Sequence, residues 1–310
     1  MRAAVLHGPE DLRVEDVAEP VGEVVIEVLA ATTCGTDVKM WRHGNRALPP
    51  YPCLFGHETA GRRLDTGERV LVSDSVACGT CSPCRSGRPQ ICRSPTWVLG
   101  GFAQQIAAPA EALHPIPERL PPEAAAMAEP LAAAVHALAR GSDADDVGVL
   151  GGGSIGLMLA ALLVRQGRSV LVADRHQQRR DQATALGAGA AEKLSRHELV
   201  FEAVGRPHAW RAAVASAAPG GVVVLVGGCP VGAEVSFPAA PIHYDELELR
   251  GSFHHSPAEV DHALQVLAYD GFPWRQLIGD RIGLAELQAA LAAGAGGGGP
   301  ARKLVVDPKA

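Results

Sequence analysis

The stretch that most constrains how this chain can fold spans residues 146–174 and reads DVGVLGGGSIGLMLAALLVRQGRSVLVAD. An apolar run at 147–150 is typical of a buried strand, and it leads into a GxGxxG set at 151–156. An apolar helical pattern at 157–165 follows, and then a second apolar run at 169–173 that ends on an aspartate. The order strand, glycine turn, helix, strand and acid predicts a βαβ unit that binds a dinucleotide, rather than a plain βα turn.

The three motif glycines each have a physical role in such a unit. Gly151 permits the tight turn, Gly153 lets the backbone approach a pyrophosphate, and Gly156 lets the helix pack close to the sheet. The N-terminus of the helix offers unpaired N–H groups and a partial positive charge to the phosphates. The predicted cofactor-binding residues are Gly151, Gly153, Ser154, Ile155, Gly156, Asp174 and Arg175.

The acid at the end of the second strand bears on the choice of cofactor. Asp174 lies where a carboxylate accepts the ribose hydroxyls of the adenosine, and its charge repels a 2′-phosphate, which favours NAD over NADP. Arg175, Arg179 and Arg180 leave NADP open, because arginines after this strand can hold that phosphate. The sequence favours the simpler interpretation, in which these arginines form a solvated helix face.

Composition limits the classes of protein and partner. The chain has 310 residues, 47% of them hydrophobic, which is enough for one or two domains with a sizeable core. A net charge of -6 argues against nucleic acid or an anionic membrane as the main partner. No apolar run reaches membrane-spanning length without a glycine or a charge, and the apolar N-terminus is too short for a signal peptide. We therefore expect a cytoplasmic protein with reduced cysteines.

Four of the seven cysteines lie close together in the sequence, at 78, 81, 84 and 92. Glycine, serine and proline surround them, so this lobe has almost no hydrophobic core of its own. Four thiolates around one zinc ion in closed tetrahedral geometry would stabilise such a lobe. The pattern favours a structural zinc site at Cys78, Cys81, Cys84 and Cys92 over an iron–sulfur cluster, two disulfides or unlinked thiols. Cys53 and Cys229 have no partners at ligand spacing and are interpreted as packing residues.

Further potential metal ligands are spread along the chain. Cys34 follows a predicted strand in the motif CGTD, His57 and Glu58 lie in GHE, and Glu129 lies in AEPLA. Thiolate, imidazole and carboxylate are ligand types that zinc takes, and a catalytic zinc site keeps one position open. None of these spacings is diagnostic alone, and by itself Cys34 is better explained as a small core residue.

The remaining pattern predicts a β-rich segment followed by an α/β segment. Residues 1–30 have no helical period and contain three predicted strands. A helix that opens at Pro121 and is broken near Pro130 leads into the βαβ unit. The glycine run at 294–298 is predicted to be a flexible loop, and the strand at 303–306 to return to the first domain.

In their order and spacing these motifs resemble the zinc-containing medium-chain dehydrogenases, the family of alcohol, polyol and threonine dehydrogenases. The resemblance covers nearly the whole chain and rests on CGTD, GHE, the four-cysteine lobe, AEPLA, GGGSIG, FEAVG and KLVVD. It implies an α/β fold, with a Rossmann dinucleotide-binding domain inserted in a GroES-like β-rich catalytic domain. The implied domains are 1–126 with the lobe at 78–92, 127–253 for the Rossmann domain, and 254–310 for the return to the catalytic domain, with the active site in the cleft between them.

The resemblance also assigns roles to the scattered ligands. It implies a catalytic zinc held by Cys34 and His57, with Glu58 or Glu129 as the third protein ligand. The Glu-Pro at 129–130 matches the polyol and threonine branch, where other alcohol dehydrogenases have a cysteine. Zinc then acts as a Lewis acid on the substrate oxygen during hydride transfer. Thr36 matches the family hydroxyl that passes the alcohol's proton onward.

The chain departs from the family pattern in three places. Lys39 stands where many relatives have a relay histidine, so Lys39, His43 or water is left to extend the proton relay. Second, the chain is short, and residues 188–199 are too few for a complete strand and helix, so one βα unit is expected to be incomplete. Third, His254 and His255 are adjacent where the nucleotide domain ends, which is explained either as a polar turn or as a substrate contact.

The sequence therefore predicts an NAD-dependent dehydrogenase with two zinc ions per chain, one catalytic and one structural. The expected substrate is a secondary alcohol of a polyol, sugar or amino alcohol, and the expected assembly is a homo-oligomer, either a dimer or a tetramer. Two alternatives stay open. One is an NADPH-dependent reductase of the same fold without a catalytic metal, and the other is a non-catalytic nucleotide-binding protein.

Overall fold

A computed structural model of the chain describes residues 1–269, 271–295 and 301–310. Its strands are β1 (Arg2–Gly8), β2 (Asp11–Asp16), β3 (Val24–Thr32), β4 (Cys53–Leu54), β5 (Glu58–Arg63), β6 (Arg69–Val72), β7 (Ser75–Val76), β8 (Thr96–Trp97), β9 (Gln105–Ala108), β10 (Leu113–Pro115), β11 (Asp146–Leu150), β12 (Ser169–Ala173), β13 (Gly189–Ala191), β14 (His197–Glu202), β15 (Ala217–Leu225), β16 (Glu248–Gly251), β17 (Ile278–Gly283) and β18 (Lys303–Asp307).

Its α-helices are α1 (Gly35–His43), α2 (Ser82–Arg85), α3 (Pro122–Ala125), α4 (Ala128–Ala139), α5 (Ser154–Arg165), α6 (Gln177–Ala185), α7 (Pro207–Ala215), α8 (Ala239–Tyr244), α9 (Pro257–Ala268), α10 (Trp274–Leu277) and α11 (Leu287–Ala295). Short 3-10 helices occupy Pro89–Ile91, Ala110–Ala112 and Leu284–Glu286. Among the described residues, no helix is both long and apolar enough to cross a membrane.

The chain divides into two compact units. Unit 1 contains residues 1–130, the described residues from 256 to 295, and 302–310, whereas unit 2 contains residues 131–255 together with Ala301. The chain thus leaves unit 1, forms unit 2 and returns. The domain bounds predicted from the sequence, at 126/127 and 253/254, stay a prediction.

Unit 1 is built on a seven-stranded sheet in the order β10-β6-β5-β3-β18-β17, with β9 also paired to β3. Strand β3 alternates buried and half-buried residues, as expected for a strand with one face on the core. Its end pairs with two distant segments, because Thr32 is opposite Glu58 on β5 and opposite Val305 on β18. This register brings the last residue of GHE and the last strand of the chain beside Thr32, which lies two residues before CGTD.

One hydrophobic cluster of unit 1 packs below these motifs. Phe55 and Phe102 are fully buried and meet edge to face, with ring centroids 5.0 Å apart. Burying a side chain of this size contributes about 1.5–3 kcal/mol. Trp41 and Cys53 belong to the same cluster, so Cys53 is a packing residue as predicted.

Unit 2 is a six-stranded parallel sheet in the order β13-β12-β11-β14-β15-β16. Its central strands are runs of valine and other apolar residues, as is typical of strands that helices cover on both faces. The strand order reverses between β11 and β14. At such a switch point the carboxyl ends of the strands form a crevice that binds ligands.

The structure shows how the short segment at 188–199 is arranged. It retains the short strand β13, and residues 192–196 then run to β14 without a helix. The interruption near Pro130 takes the form of two helices, α3 and α4, with the proline in the first turn of α4. The glycine run at 294–298 was predicted to be a loop, but Gly294 belongs to α11, and residues 296–298 lie outside the described residues.

Candidate active site

The motif CGTD forms the start of helix α1. Cys34 is the N-cap residue, and its thiol accepts a hydrogen bond from the Thr36 backbone N–H at 3.1 Å. In return, Asp37 Oδ2 accepts a hydrogen bond from the Cys34 backbone N–H at 2.8 Å. This is a capping box in which cysteine replaces the usual serine or threonine. Burial raises the pKa of the Cys34 thiol, and the charge of Asp37 raises it further. A thiolate at this position therefore needs a cation.

His57 links this helix start to strand β5. Its Nε2 atom lies 3.3 Å from Cys34 Sγ, and its Nδ1 atom lies 3.0 Å from Asp37 Oδ1. Burial lowers the pKa of His57, but the negative charges of Cys34 and Asp37 outweigh it and raise that pKa well above its ordinary value. A buried imidazole with one nitrogen toward a thiol and the other toward a carboxylate is the usual arrangement of a metal-bound histidine with its orienting acid.

The turn before His57 requires glycine. Gly56 has a φ of +94°, and a Cβ atom there would lie 2.8 Å from the Phe102 ring. The small residue lets the chain turn over the buried aromatic pair and then enter β5 with His57 facing Cys34. The motif GHE therefore combines a packing requirement at its first residue with chemistry at the next two.

Glu58 has a cationic partner from the end of the chain. The Lys303 ammonium donates to Glu58 Oε1 at 2.7 Å, and the Thr32 hydroxyl donates to Glu58 Oε2. The side chains of Glu58 and Lys303 are each only 1% exposed. Burial raises the pKa of Glu58 to about 7, although the Lys303 charge acts in the opposite direction. Lys303 was not among the residues predicted from the sequence, although a charged residue that opens the apolar run LVV was a signal for it.

Glu129 completes the group from the first turn of α4. Its carboxylate and ligand atoms of His57 and Glu58 all lie within 4.8 Å of one another. Cys34, Asp37 and His57 form a second group with the same limit. The two groups share His57, and together they contain all four predicted ligands of the catalytic zinc, of which Cys34 is half-buried and the other three are buried. A thiol, an imidazole and carboxylates form a donor set that fits zinc.

The residues predicted for the proton relay all lie on helix α1. Thr36, Lys39 and His43 are each exposed. The Thr36 backbone N–H donates to the Cys34 thiol, so Thr36 is held next to a predicted metal ligand. A role in proton transfer for any of these residues stays a prediction.

The four-cysteine lobe gathers as the spacing predicts. The four Sγ atoms lie within 4.8 Å of one another, and Cys81 Sγ is 3.3 Å from Cys84 Sγ. A disulfide requires about 2.05 Å, so these thiols are not paired with each other. Hydrogen bonds from Thr80 lower the pKa of Cys78 to about 6, whereas burial and its thiol neighbours raise that of Cys84 to about 12. Four thiolates can coexist here only around a cation, and the set fits a structural zinc ion.

In unit 2 the glycine turn has the geometry that the motif predicts. Gly151 has a φ of +107°, and a Cβ atom on Gly156 would lie 1.9 Å from the Gly151 carbonyl oxygen. Gly153 is the N-cap residue of α5, and a Cβ atom there would meet nothing within 4 Å. Gly153, Ser154 and Ile155 are partly exposed at the free N-terminus of a twelve-residue helix. This surface can hold an anion.

The carboxylate of Asp174, directly after β12, accepts hydrogen bonds from the backbone. Asp174 Oδ2 accepts a hydrogen bond from the Gly152 N–H, and Oδ1 accepts one from the His176 N–H, both at 2.9 Å. An Arg179 nitrogen lies 3.5 Å from Oδ2. Arg175 donates to the His176 ring at 3.0 Å and is exposed. Asp174 therefore fixes the shape of the glycine loop, and Arg179 reduces the repulsion that its charge exerts on a phosphate.

The adjacent histidines at the end of unit 2 stack on each other. The rings of His254 and His255 have centroids 4.2 Å apart at an angle of 25°. His254 has a positive φ of 59°, as residues in tight turns have. This is consistent with a polar turn, and a substrate contact stays a prediction.

Comparisons with known proteins agree with this arrangement. Residues 20–118 match the alcohol dehydrogenase GroES-like domain, and residues 154–269 match the zinc-binding dehydrogenase family. The chain is 30% identical to an L-threonine 3-dehydrogenase of Rhizobium johnstonii over 93% of both chains. It is 27% identical to a sorbitol dehydrogenase of Bacillus subtilis over 94% of this chain and 92% of that one. A crystal structure of a zinc-binding dehydrogenase from Sinorhizobium meliloti bound to NADP is 26% identical, with a TM-score of 0.88 and coverage of 99% of both chains.

The fold class predicted from the sequence, a GroES-like β-rich domain with an inserted Rossmann domain, is confirmed by these matches and by the parallel sheet of unit 2. The enzyme class is confirmed as well, since the homologues are alcohol, polyol and threonine dehydrogenases. The chain belongs to the zinc-containing medium-chain dehydrogenase family, and it is an oxidoreductase that couples an alcohol to a nicotinamide cofactor.

Proposed function

We propose that this enzyme oxidises a secondary alcohol of a polyol, sugar or amino alcohol with NAD, using a catalytic zinc ion and a separate structural one. The observation that carries the proposal is a pair of ligand groups in unit 1 that share the buried His57, one with Cys34 and Asp37 and the other with Glu58 and Glu129. The overall reaction moves a hydride from the alcohol carbon to the nicotinamide ring and a proton from the alcohol oxygen to solvent. Similarity to threonine and sorbitol dehydrogenases supports the substrate class.

We assign the catalytic zinc ligands as Cys34, His57 and Glu129. Glu58 is the weaker candidate for the third ligand, because Lys303 and Thr32 each hold one of its carboxylate oxygens. When bound, the metal would polarise the alcohol oxygen as a Lewis acid and favour loss of its proton. Glu58 then acts as a neighbouring carboxylate that the Lys303 charge keeps in place.

The protein's own residues hold and orient this group. Asp37 faces the Nδ1 atom of His57, which leaves Nε2 directed at the metal position beside Cys34. The Thr36 hydroxyl is proposed to take the alcohol's proton onward, with Lys39 or His43 as the next group toward solvent. This part of the proposal rests on their place in the CGTD helix.

NAD is proposed as the cofactor because Asp174 stands at the end of β12. Its carboxylate disfavours a 2′-phosphate, although Arg179 at 3.5 Å weakens that effect. The Sinorhizobium meliloti relative was crystallised with NADP, so the preference must be measured. A comparison of kcat/KM with NAD and NADP for the native enzyme and for Asp174→Ala tests it. We expect the native enzyme to prefer NAD and the variant to lose that preference, whereas an NADP preference in the native enzyme would overturn the assignment.

Zinc content and catalysis together test the whole proposal. Elemental mass spectrometry on the native enzyme is expected to find about two zinc ions per chain. Cys34→Ser should lose the catalytic ion alone, Cys81→Ser the structural ion alone, and Cys229→Ser neither. If only the lobe binds metal, the metal-free reductase that the sequence left open becomes the better interpretation.

A panel of polyols, sugars and amino alcohols provides the matching activity test. NAD reduction should be sensitive to a chelator and absent in Cys34→Ser. A metal-replete enzyme that is inert toward the whole panel would favour the non-catalytic nucleotide-binding alternative. We also propose a cytoplasmic homodimer or homotetramer, supported by the resemblance alone, and light scattering of the purified enzyme tests the assembly.

A further inference from the structure

The topology of unit 2 separates the two halves of a bound dinucleotide. Asp174, which faces the adenosine ribose in the proposed function, ends β12 on one side of the switch point. The glycine turn after β11 lies at the switch point itself. A cofactor whose pyrophosphate lies on that turn must therefore extend its other half over the carboxyl ends of β14 and β15, on the opposite side.

The loops that follow these two strands are in direct backbone contact. A Cβ atom on Gly227 would lie 2.2 Å from the Gly205 nitrogen, and one on Gly205 would lie 2.7 Å from the Gly228 carbonyl oxygen. Gly205 also has a φ of +73°. The loops at 203–205 and 226–228 can approach this closely only because glycine occupies the contact.

One fully buried carboxylate lies beneath the contact. Glu202, the last residue of β14, accepts hydrogen bonds at Oε1 from the backbone N–H groups of Val204 and Gly205, both at 2.9 Å. Its backbone carbonyl accepts from Val226 and Gly227, also at 2.9 Å. One residue thus fixes the first loop through its side chain and the second through its main chain.

The rest of the carboxylate faces the second loop. A Cβ atom on Gly227 would lie 2.8 Å from Glu202 Oε2, and the Gly227 backbone N–H and the Trp210 indole N–H both act on this carboxyl and lower its pKa. Trp210 from α7 holds the same loop, because its indole N–H donates to the Gly227 carbonyl at 2.9 Å. A fully buried carboxylate is costly unless it is hydrogen-bonded, and here its hydrogen bonds hold the first loop in place against the second.

We propose that Glu202 is a positioning residue that joins the loops at 203–205 and 226–228 into the surface that receives the nicotinamide half of the cofactor. It acts through backbone groups and does not contact the reacting atoms. The inference rests on the proposed function, since it requires a nicotinamide cofactor on the glycine turn. It predicts that substitution of Glu202 weakens binding of the nicotinamide half of the cofactor and leaves binding of the adenosine half unchanged.

The test compares NADH with ADP-ribose, which lacks the nicotinamide ring. Dissociation constants of both ligands are measured by calorimetry for the native enzyme, Glu202→Ala, Glu202→Gln and the control Glu198→Gln. Glu198 lies on the same strand but is exposed. We expect Glu202→Ala to raise the dissociation constant of NADH about tenfold, because two charge-assisted hydrogen bonds to the loop are lost. The dissociation constant of ADP-ribose should stay within about twofold of the native value. Glu202→Gln keeps one acceptor oxygen and should restore most of the affinity for NADH.

The outcomes separate this inference from the proposed function. Equal weakening of both ligands in Glu202→Ala and Glu202→Gln would show a general loss of the fold and overturn the inference, as would unchanged NADH affinity in both variants. If Glu202→Ala does not fold, Glu202→Gln must still weaken NADH more than ADP-ribose for the inference to stand. A native enzyme that binds neither ligand would instead overturn the proposed function.

Discussion

At the scale of single residues, the buried ion pair Glu58–Lys303 bears on the stability of the protein. Its nitrogen and oxygen atoms are 2.7 Å apart with both side chains excluded from solvent. Removing one partner of such a pair leaves an uncompensated charge in a medium of low polarity. The pair is therefore important for stability and also keeps a carboxylate beside the proposed metal ligands.

Lys303→Met is expected to lower the free energy of unfolding by about 3–5 kcal/mol, because Glu58 is left buried without its counter-charge. Urea unfolding of zinc-loaded protein measures this. Lys309→Met is the matched control, because Lys309 pairs with Glu27 on the surface. It should change stability by less than about 1 kcal/mol. Equal effects of the two substitutions would contradict the proposed importance of the buried pair.

Glu202 should make stability depend on pH in a defined direction. Burial raises its pKa in the folded state above the ordinary value of 4.5, although backbone N–H groups of Gly205 and Val204 oppose the shift. The folded state therefore holds this proton more tightly than the unfolded state does. The resulting stabilisation is present below pH 4.5 and is lost as the pH rises through the folded-state pKa.

Relative to Glu202→Gln, the native enzyme is thus expected to lose stability as the pH rises above 4.5 and through the folded-state pKa of Glu202, since the amide does not titrate. The difference in the free energy of unfolding between the two proteins, followed by urea denaturation across this range, measures the effect. A difference that stays constant, or one that favours the native enzyme at higher pH, would show that the carboxylate is not destabilised by burial.

At the scale of elements, the glycine turn between β11 and α5 serves folding and binding with different residues. Gly156 is required by packing, because a Cβ atom would lie 1.9 Å from the Gly151 carbonyl oxygen. Gly153 has open space around it, so its lack of a side chain is explained by approach of a ligand. The GxGxxG motif therefore combines two independent constraints.

A matched pair of substitutions separates these constraints. Gly156→Ala should lower the thermal unfolding midpoint of the protein and also weaken NADH, because strand and helix must move apart. Gly153→Ala should leave the thermal unfolding midpoint nearly unchanged and weaken only the binding of NADH. Differential scanning fluorimetry and calorimetric titration measure the two effects. An unstable Gly153→Ala, or a Gly156→Ala as stable as the native protein, would contradict this division.

For the whole molecule, the division into two units predicts two responses to ligands. A ligand that binds only the folded state stabilises it by about 2.7 kcal/mol at a concentration of 100 times its Kd. ADP-ribose should therefore slow hydrogen exchange mainly in unit 2, where the glycine turn lies. A chelator should speed exchange mainly in unit 1, above all at 78–92. Hydrogen exchange read by mass spectrometry resolves the peptides, and uniform responses to both treatments would show that the units do not unfold separately.

Elements that depend on neighbours in sequence were predictable. The four-cysteine lobe is one example, because its four thiols lie within fifteen residues of chain. The glycine turn and its flanking strands were predictable for the same reason, because local sterics and periodicity determine them. The strand β13 without a following helix also followed from counting the residues available at 188–199.

The sequence by itself therefore determined the family, the fold class and the residue types available for metal and cofactor, since each rests on short-range spacing. Only the tertiary structure decided which groups meet. Lys303 and Glu58 are 245 positions apart, and β18 brings them together beside β3. The contact of Gly205 with Gly227 likewise depends on parallel strands that α7 separates in the chain. Burial and charge pairing between such distant residues arise from the packing of whole sheets, which no local pattern encodes.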